Sequence, residues 1–171
     1  AELLEDNIVR QFDKGESIGG RKPNLYRLCD GLFQVLCIEL QRFSITLSIM
    51  DNNQNIVAEA VELDNELSRN ADNLHDITQI IDQYLLEKAV DTENLTGLII
   101  SMPGLINAEE GTNETFLNDA SHSITGYFEN KYKKPVYILN DVKGAAYAEL
   151  KFGLAKNTKN SLIILMDWGI G

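Results

Sequence analysis

The spacing of apolar positions changes repeatedly along the chain and divides it into elements of different kinds. Leu3, Leu4, Ile8 and Val9 form a short periodic stretch, and Leu25-Tyr26-Arg27-Leu28 is a strand candidate. Between them runs a polar, glycine-rich turn from Asp13 to Pro23, so the pattern predicts a hairpin with a long basic tip. Phe33-Gln34-Val35-Leu36-Cys37-Ile38 is a mostly apolar strand. From Ser44 to Met50, Ile45, Leu47 and Ile49 alternate with Thr46 and Ser48, a period-2 strand. The turn Asp51-Asn52-Asn53-Gln54-Asn55 leads to a third strand, Ile56 to Leu63, and three consecutive strands predict an antiparallel meander. Leu74, Ile77, Ile81, Tyr84 and Leu85 then recur at helical spacing within residues 72–89.

The second half alternates. Leu98-Ile99-Ile100 is a short buried strand, Ile124 to Tyr132 is helical, and Val136-Tyr137-Ile138-Leu139 is a buried strand. Gly144 to Leu150 continues as a tightly packing helix, and Ser161 to Met166 reads as another apolar strand. A meander followed by alternating helices and strands is an α/β fold whose mixed sheet carries an antiparallel edge. The abrupt start and the ending on a strand and Gly-x-Gly read as a fragment of a longer protein.

At 171 residues the chain holds one domain, or one domain with a small appendage. Its formal charge of -11 disfavours strong binding of this piece alone to nucleic acid or anionic lipid. The charge is uneven. Residues 36–120 carry 3 basic and 16 acidic groups, whereas Ser17 to Cys29 holds three basic residues and no acidic one. No apolar run approaches the roughly 20 residues that span a bilayer, and no signal peptide opens the chain, so a soluble cytoplasmic protein is expected. Cys29 and Cys37 read as buried reduced thiols, because there is no C-x-x-C and too few cysteines for a disulfide framework. His75 and His122 lack partners at ligand spacing, so no metal site is expected. Gly15-x-x-x-x-Gly20-Arg21-Lys22 fails as a phosphate loop, since Arg and Lys stand where Lys and Ser or Thr belong. Ser121-His122-Ser123 lacks a nucleophile elbow and reads as a solvated loop.

Ligands of open α/β sheets gather beyond the carboxyl ends of the strands. Three such ends carry suggestive residues: Ser101-Met102-Pro103-Gly104, Asn140-Asp141 and Asp167-Trp168-Gly169-Ile170-Gly171. Asp141 would accept a proton or hydrogen bond from a substrate hydroxyl, or would simply cap the following helix. Pro103-Gly104 is either a plain turn or a place where backbone closely approaches a ligand.

Four stretches in order resemble the ROK family, which groups bacterial sugar kinases with sugar-responsive transcriptional regulators on an actin/hexokinase-like (ribonuclease H-like) fold. Gly19-Gly20-Arg21-Lys22-Pro23 with Leu25 and Leu28 resembles the G-G-R-x-P wing of the regulators. Ile100 to Asn107 followed by Gly111 resembles the G-x-P-G-x-(V/I)-(D/N)-x-x-x-G segment. Lys134 to Asp141, with Ala145-Ala146 and Glu149, resembles L-P-V-x-x-x-N-D and its continuation. Phe152-Gly153 through Gly169-Ile170-Gly171 resembles the run that ends in G-T-G-I-G.

The resemblance implies two parts: residues 1–30 as the wing hairpin of a winged helix-turn-helix with its linker, and residues 31–171 as the N-terminal lobe of the effector domain. Position by position, Asp141 matches the kinases' catalytic base, and Asn140 and Gly104 match positions near the bound sugar. Asn118 is set against the family's sugar-contacting Asn, in a segment, 112–124, that departs from the usual N-x-P-G-W. Arg21 and Lys22 would contact operator DNA. Against the first phosphate loop, D-x-G-G-T, stands Glu39-Leu40-Gln41-Arg42-Phe43; against the second, G-T-G-x-G, stands Asp167-Trp168-Gly169-Ile170-Gly171. Phosphoryl transfer needs backbone N–H groups at close approach, which Gln41, Arg42 and Trp168 obstruct. The resemblance therefore implies a sugar-responsive regulator, a homodimer or higher oligomer when full-length, without nucleotide, metal or cofactor in this fragment. A sugar kinase using ATP is the alternative.

Overall fold

A computed structural model of the chain describes residues 2–16, 19, 22–70, 72–117 and 123–166. A one-turn helix α1 (Glu2–Glu5) precedes the antiparallel hairpin β1 (Val9–Lys14) and β2 (Asn24–Leu28), closed near its tip by Gly15 N–H donating to the Pro23 carbonyl at 2.8 Å. The predicted hairpin is thus present, and its sheet is separate from the main one.

The main sheet has the order β5-β4-β3-β6-β9. The meander comprises β3 (Gln34–Leu40), β4 (Ser44–Asp51) and β5 (Ile56–Asp64), antiparallel throughout. β6 (Leu95–Met102) lies parallel to β3, and β9 (Val136–Asn140) parallel to β6. Helix α2 (Asn73–Glu87) provides the crossover between β5 and β6, and α3 (Ile124–Tyr132) leads into β9. Between β6 and α3, β7 (Ile106–Asn107) and β8 (Thr112–Asn113) form a small hairpin of their own. Helix α4 (Asp141–Lys151) follows β9 directly.

Period-2 patterning sorts the two faces of the sheet. Leu36, Ile38 and Leu40 of β3, Ile45, Leu47 and Ile49 of β4, and Leu98, Ile100 and Met102 of β6 all point to one face and are buried. There they meet Leu74, Ile77, Ile81, Tyr84 and Leu85 of α2, and Ile124 and Phe128 of α3. The helical spacing predicted the α2 residues, and all five are in the core. The alternate residues Cys37, Glu39, Thr46, Ser48, Ile99 and Ser101 face the other side, where α4 lies. No described helix is long and apolar enough to cross a membrane.

Two expectations need correction here, and one needs softening. Ser161–Met166 forms no ladder: residues 161–165 have no regular structure, and Leu162 and Met166 are 86% and 78% exposed. A run of Leu and Ile favours extended backbone, but only pairing makes a strand, and Leu165 instead lies against the cleft beside α4. Helix α4 buries no residue fully, although it approaches the sheet closely at Gly144. Cys29 and Cys37 are both free, but only half-buried: Cys29 lies in the connection between β2 and β3, and Cys37 faces the cleft side of the sheet.

Candidate functional site

The carboxyl ends of β6 and β9 lie side by side, with Met102 paired to Asn140. The turn after β6 places Gly104 at φ +107°, in the left-handed region. A β-carbon there would stand 2.6 Å from the Asn113 Oδ1, so this position requires glycine on both backbone and packing grounds. Asn140 joins the two strand ends. Its Nδ2 donates to the Gly104 carbonyl at 3.3 Å, while its Oδ1 accepts from Lys143 N–H at 3.2 Å. The second bond makes Asn140 the cap of α4.

Asp141 is consequently not the cap, contrary to one of its two expected roles. It is the first residue of α4, half-buried, and its Oδ1 accepts from its neighbour Val142 N–H at 2.8 Å. A carboxylate at the amino end of a helix is favoured by the helix dipole. Asp141 borders a cleft of about 380 Å³ between α4 and the open face of the sheet, which Glu39, Ser101 and Cys37 also line. Burial pushes the Cys37 thiol pKa up, so it stays a neutral thiol in this lining. Gly144 brings α4 close enough that a β-carbon there would lie 3.1 Å from Leu139 Cδ1. The sequence thus located three residues that the fold brings together: Gly104, Asn140 and Asp141.

Asn113 is a residue that the pattern missed. Only 2% exposed, it donates through Nδ2 to the Pro103 carbonyl at 2.8 Å and accepts at Oδ1 from Thr115 N–H at 2.9 Å and Phe116 N–H at 3.1 Å. Three bonds from one buried amide hold the Pro103-Gly104 turn against the segment after β8. An Asn two residues before a Thr, just after Gly111, is the turn-forming signal that would have pointed to it.

The β3–β4 turn is built differently. Gln41 N–H donates to the Ser44 carbonyl at 2.8 Å, and Gln41 Nε2 to Glu39 Oε1 at 3.2 Å. The turn is latched to the connection after β5, with Leu67 N–H donating to the Arg42 carbonyl at 2.9 Å and Asn65 N–H to the Phe43 carbonyl at 3.0 Å. Arg42 donates to the Leu67 carbonyl, sits 3.4 Å from Glu66 and lies over the rings of Phe43 and Phe116. Beside it is a hollow of about 500 Å³, bordered also by Ser68, Arg69, Asn70 and Asp72. Within its lining Arg42 pairs with Glu66, and the Asn70 amide Nδ2 donates to Asp72 at 2.7 Å.

Lys22 is exposed at the hairpin tip. Arg21, Asn118 and Asp167-Trp168-Gly169-Ile170-Gly171 lie outside the described residues. Among the described residues no group of three or more His, Cys, Asp and Glu side chains is placed to hold a metal ion.

The chain is similar in sequence and fold to known proteins. The chain is 26% identical over 176 residues to the DNA-binding transcriptional repressor Mlc of Escherichia coli K12, covering 99% of this chain and 43% of that protein. It is 24% identical over 178 residues to the xylose repressor of Bacillus spizizenii, covering 99% of this chain and 44% of that protein. The chain therefore spans less than half the length of these relatives. Among solved structures, a ROK family transcriptional regulator described as a homolog of the E. coli Mlc protein superposes with a TM-score of 0.65 at 20% identity, over 88% of this chain and 39% of that one. The ROK hexokinase of Thermus thermophilus superposes with a TM-score of 0.62 at 20% identity, over 81% and 44%. Both likenesses establish the fold as the actin/hexokinase-like α/β type. The sequence profile of the ROK family matches residues 35–171, so the chain belongs to the ROK family.

Proposed function

We propose that the chain is the wing hairpin (residues 1–30) and first effector lobe (31–171) of a cytoplasmic, sugar-responsive transcriptional regulator, most simply a repressor. The observation that carries this reading is coverage. The family profile begins at residue 35, yet the Mlc and xylose-repressor alignments take in 99% of the chain, hairpin included. The latched β3–β4 turn also favours it, since side chains of Gln41 and Arg42 fill the place where a phosphate loop needs open backbone.

In this reading Asp141 accepts hydrogen bonds from sugar hydroxyls instead of removing a proton. Asn140 and Gly104 frame the same pocket, and Asn118 adds a contact from the neighbouring segment. Arg21 and Lys22 at the hairpin tip meet DNA phosphates or the minor groove. Sugar binds one arrangement of the lobes better than the other and shifts the population toward it. In a dimer that shift changes the spacing of two DNA-binding heads, and with it operator affinity. No nucleotide, metal or cofactor has a role.

The test uses the full-length protein and duplex DNA from upstream of its gene. Fluorescence anisotropy is read with and without glucose, xylose or N-acetylglucosamine. One of the sugars is expected to change the DNA affinity at least tenfold, and Asp141→Ala to remove that response. The kinase alternative predicts ADP release from ATP with one of these sugars, lost in Asp141→Asn. Such turnover, with no response of DNA binding to sugar, would overturn the regulator reading.

A further inference from the structure

The hairpin strands bury no apolar side chain against the lobe: Phe12, Leu25, Tyr26 and Leu28 are all exposed. All five residues of β2 are exposed, and of β1 only Val9 is partly covered. Its orientation therefore depends on the five-residue link Cys29-Asp30-Gly31-Leu32-Phe33 between β2 and β3. Gly31 has φ +74°, a state glycine reaches freely, so the link contains a natural swivel.

Polar bonds close that swivel from both sides. From the lobe, the β4–β5 turn reaches over: Gly31 N–H donates to Asp51 Oδ2 at 3.1 Å, and Asn52 Nδ2 to the Cys29 carbonyl at 3.0 Å. Asn52 Oδ1 also accepts from Phe33 N–H at 3.3 Å. The turn is itself stiffened, because Asp51 Oδ1 accepts from Asn53 and Asn55 N–H at 2.8 and 2.9 Å. From the hairpin side, Cys29 N–H donates to the Ile8 carbonyl at 3.0 Å.

Asp30 is where the two sides meet. Its Oδ1 accepts from Asn53 Nδ2 of the lobe turn at 2.5 Å, while its Oδ2 accepts from Arg10 of β1. Arg27 of β2 places Nη2 3.8 Å from the same Oδ2. Arg10 and Arg27 are direct cross-strand partners, an arrangement in which like charges repel. Asp30 is their shared counter-ion. The Arg10 hydrogen bond holds the Asp30 carboxyl below its ordinary range, which keeps it ionised at neutral pH.

The position of this joint gives it a purpose. Gln34 pairs with Asp51 at the joint end of β3 and β4, and Leu40 pairs with Ile45 at the end nearer Asp141. Seven residues of paired strand, roughly 20 Å, separate the two ends. We propose that Asp30 is a positioning residue that locks the hairpin to the β4–β5 turn, so that hairpin and first lobe move as one body and sugar-driven lobe motion reaches DNA undamped. The rigid attachment stands by itself; its use in signalling rests on the regulator reading.

Two measurements separate these layers. Backbone ¹⁵N relaxation of the 171-residue chain reads whether hairpin amides 9–14 and 24–28 share the rotational correlation time of the sheet. The wild type is expected to give one common value, and Asp30→Ala a shorter one for the hairpin alone. Asn53→Asp, which sets a second carboxylate against Asp30, is expected to do the same should Asp30→Ala fold poorly, and Asp30→Glu to restore the common value. An independently tumbling wild-type hairpin, or variants indistinguishable from wild type, overturns the joint. In the full-length protein, Asp30→Ala is expected to bind sugar within twofold of wild type while losing the sugar-dependent change in DNA affinity. An Asp30→Ala protein that keeps that change overturns the signalling role. A wild type whose DNA binding ignores sugar overturns the regulator reading, and the relaxation result still decides the joint.

Discussion

The lobe and the hairpin are joined in one chain but held by opposite means. Among the described residues twenty-three buried apolar side chains, led by Phe128 and the Leu and Ile positions of β3, β4 and β6, organise the lobe. The hairpin strands bury no residue fully, and the hairpin takes its orientation from a carboxylate, two arginines and a turn of asparagines. Apolar burial is non-directional and strong, so it makes the lobe stable. Hydrogen bonds and ion pairs near the surface add little stability but are directional, so they fix an angle. A part that must survive uses the first, and a part that must point uses the second.

The sharpest way to separate the two regions is to damage the core. Phe128→Ala removes a side chain that is fully buried and stacks on Tyr132 with ring centroids 6.2 Å apart. A loss of about 3–5 kcal/mol is expected in urea unfolding followed by circular dichroism. Next comes Gly104→Ala, which forces φ +107° on a residue with a β-carbon and drives it into Asn113. The expected cost is roughly 1–3 kcal/mol, and under the proposed regulator reading sugar affinity falls as the turn shifts. Thermal unfolding and titration calorimetry on one sample read both.

Smaller effects should appear on the hairpin side. Asn52→Ala removes the bonds to the Cys29 carbonyl and Phe33 N–H. Hydrogen exchange at Phe33 is expected to quicken by a local change of about 1 kcal/mol, while the urea midpoint of the lobe holds. If the midpoint falls with it, the two regions are one cooperative unit and the contrast is broken. The smallest effect is the pH response of the joint. Asp30 has its carboxyl depressed first by the Arg10 hydrogen bond and further by Asn53, against desolvation and the like charge of Asp51. Its contribution is therefore present above the ordinary carboxyl range and lost as pH falls through the lowered value. Arg10 and Arg27 stay charged throughout, so acid leaves them facing each other. Relaxation data recorded at falling pH should show the hairpin loosening before the lobe's core signals change.

What the sequence disclosed follows from the range of the forces involved. Meander, crossover helix and alternating strands were legible because burial imposes a period of 2 or 3.6 on neighbouring residues, as at Ile45, Leu47 and Ile49 or Leu74, Ile77 and Ile81. Gly104, Asn140 and Asp141 were legible because they follow buried strands, although the capping oxygen belongs to Asn140 and not Asp141. The run Ser161–Met166 misled because periodicity reports what can pair, and here only Met166 makes a single bridge while residues 161–165 have no regular structure. Asn113 was hidden in a polar stretch whose burial comes from packing under Gly104. Asp30 was the least visible, since its partners Arg10 and Asn53 lie 20 and 23 residues away and follow no repeat.

The sheet order leaves β5 at an edge, with β4 on one side and no strand on the other among the described residues. Ile56, Val57 and Leu63 are exposed along it, which by itself is an adhesive strip for another copy. Glu59, Glu62 and Asp64 stand on the same strand and are also exposed. Two such edges meeting at neutral pH would bring six carboxylates together, so the protein's large negative charge acts locally as a guard against edge-to-edge pairing. Neutralised by Glu59→Gln, Glu62→Gln and Asp64→Asn, this strand becomes the place where aggregation of concentrated protein begins.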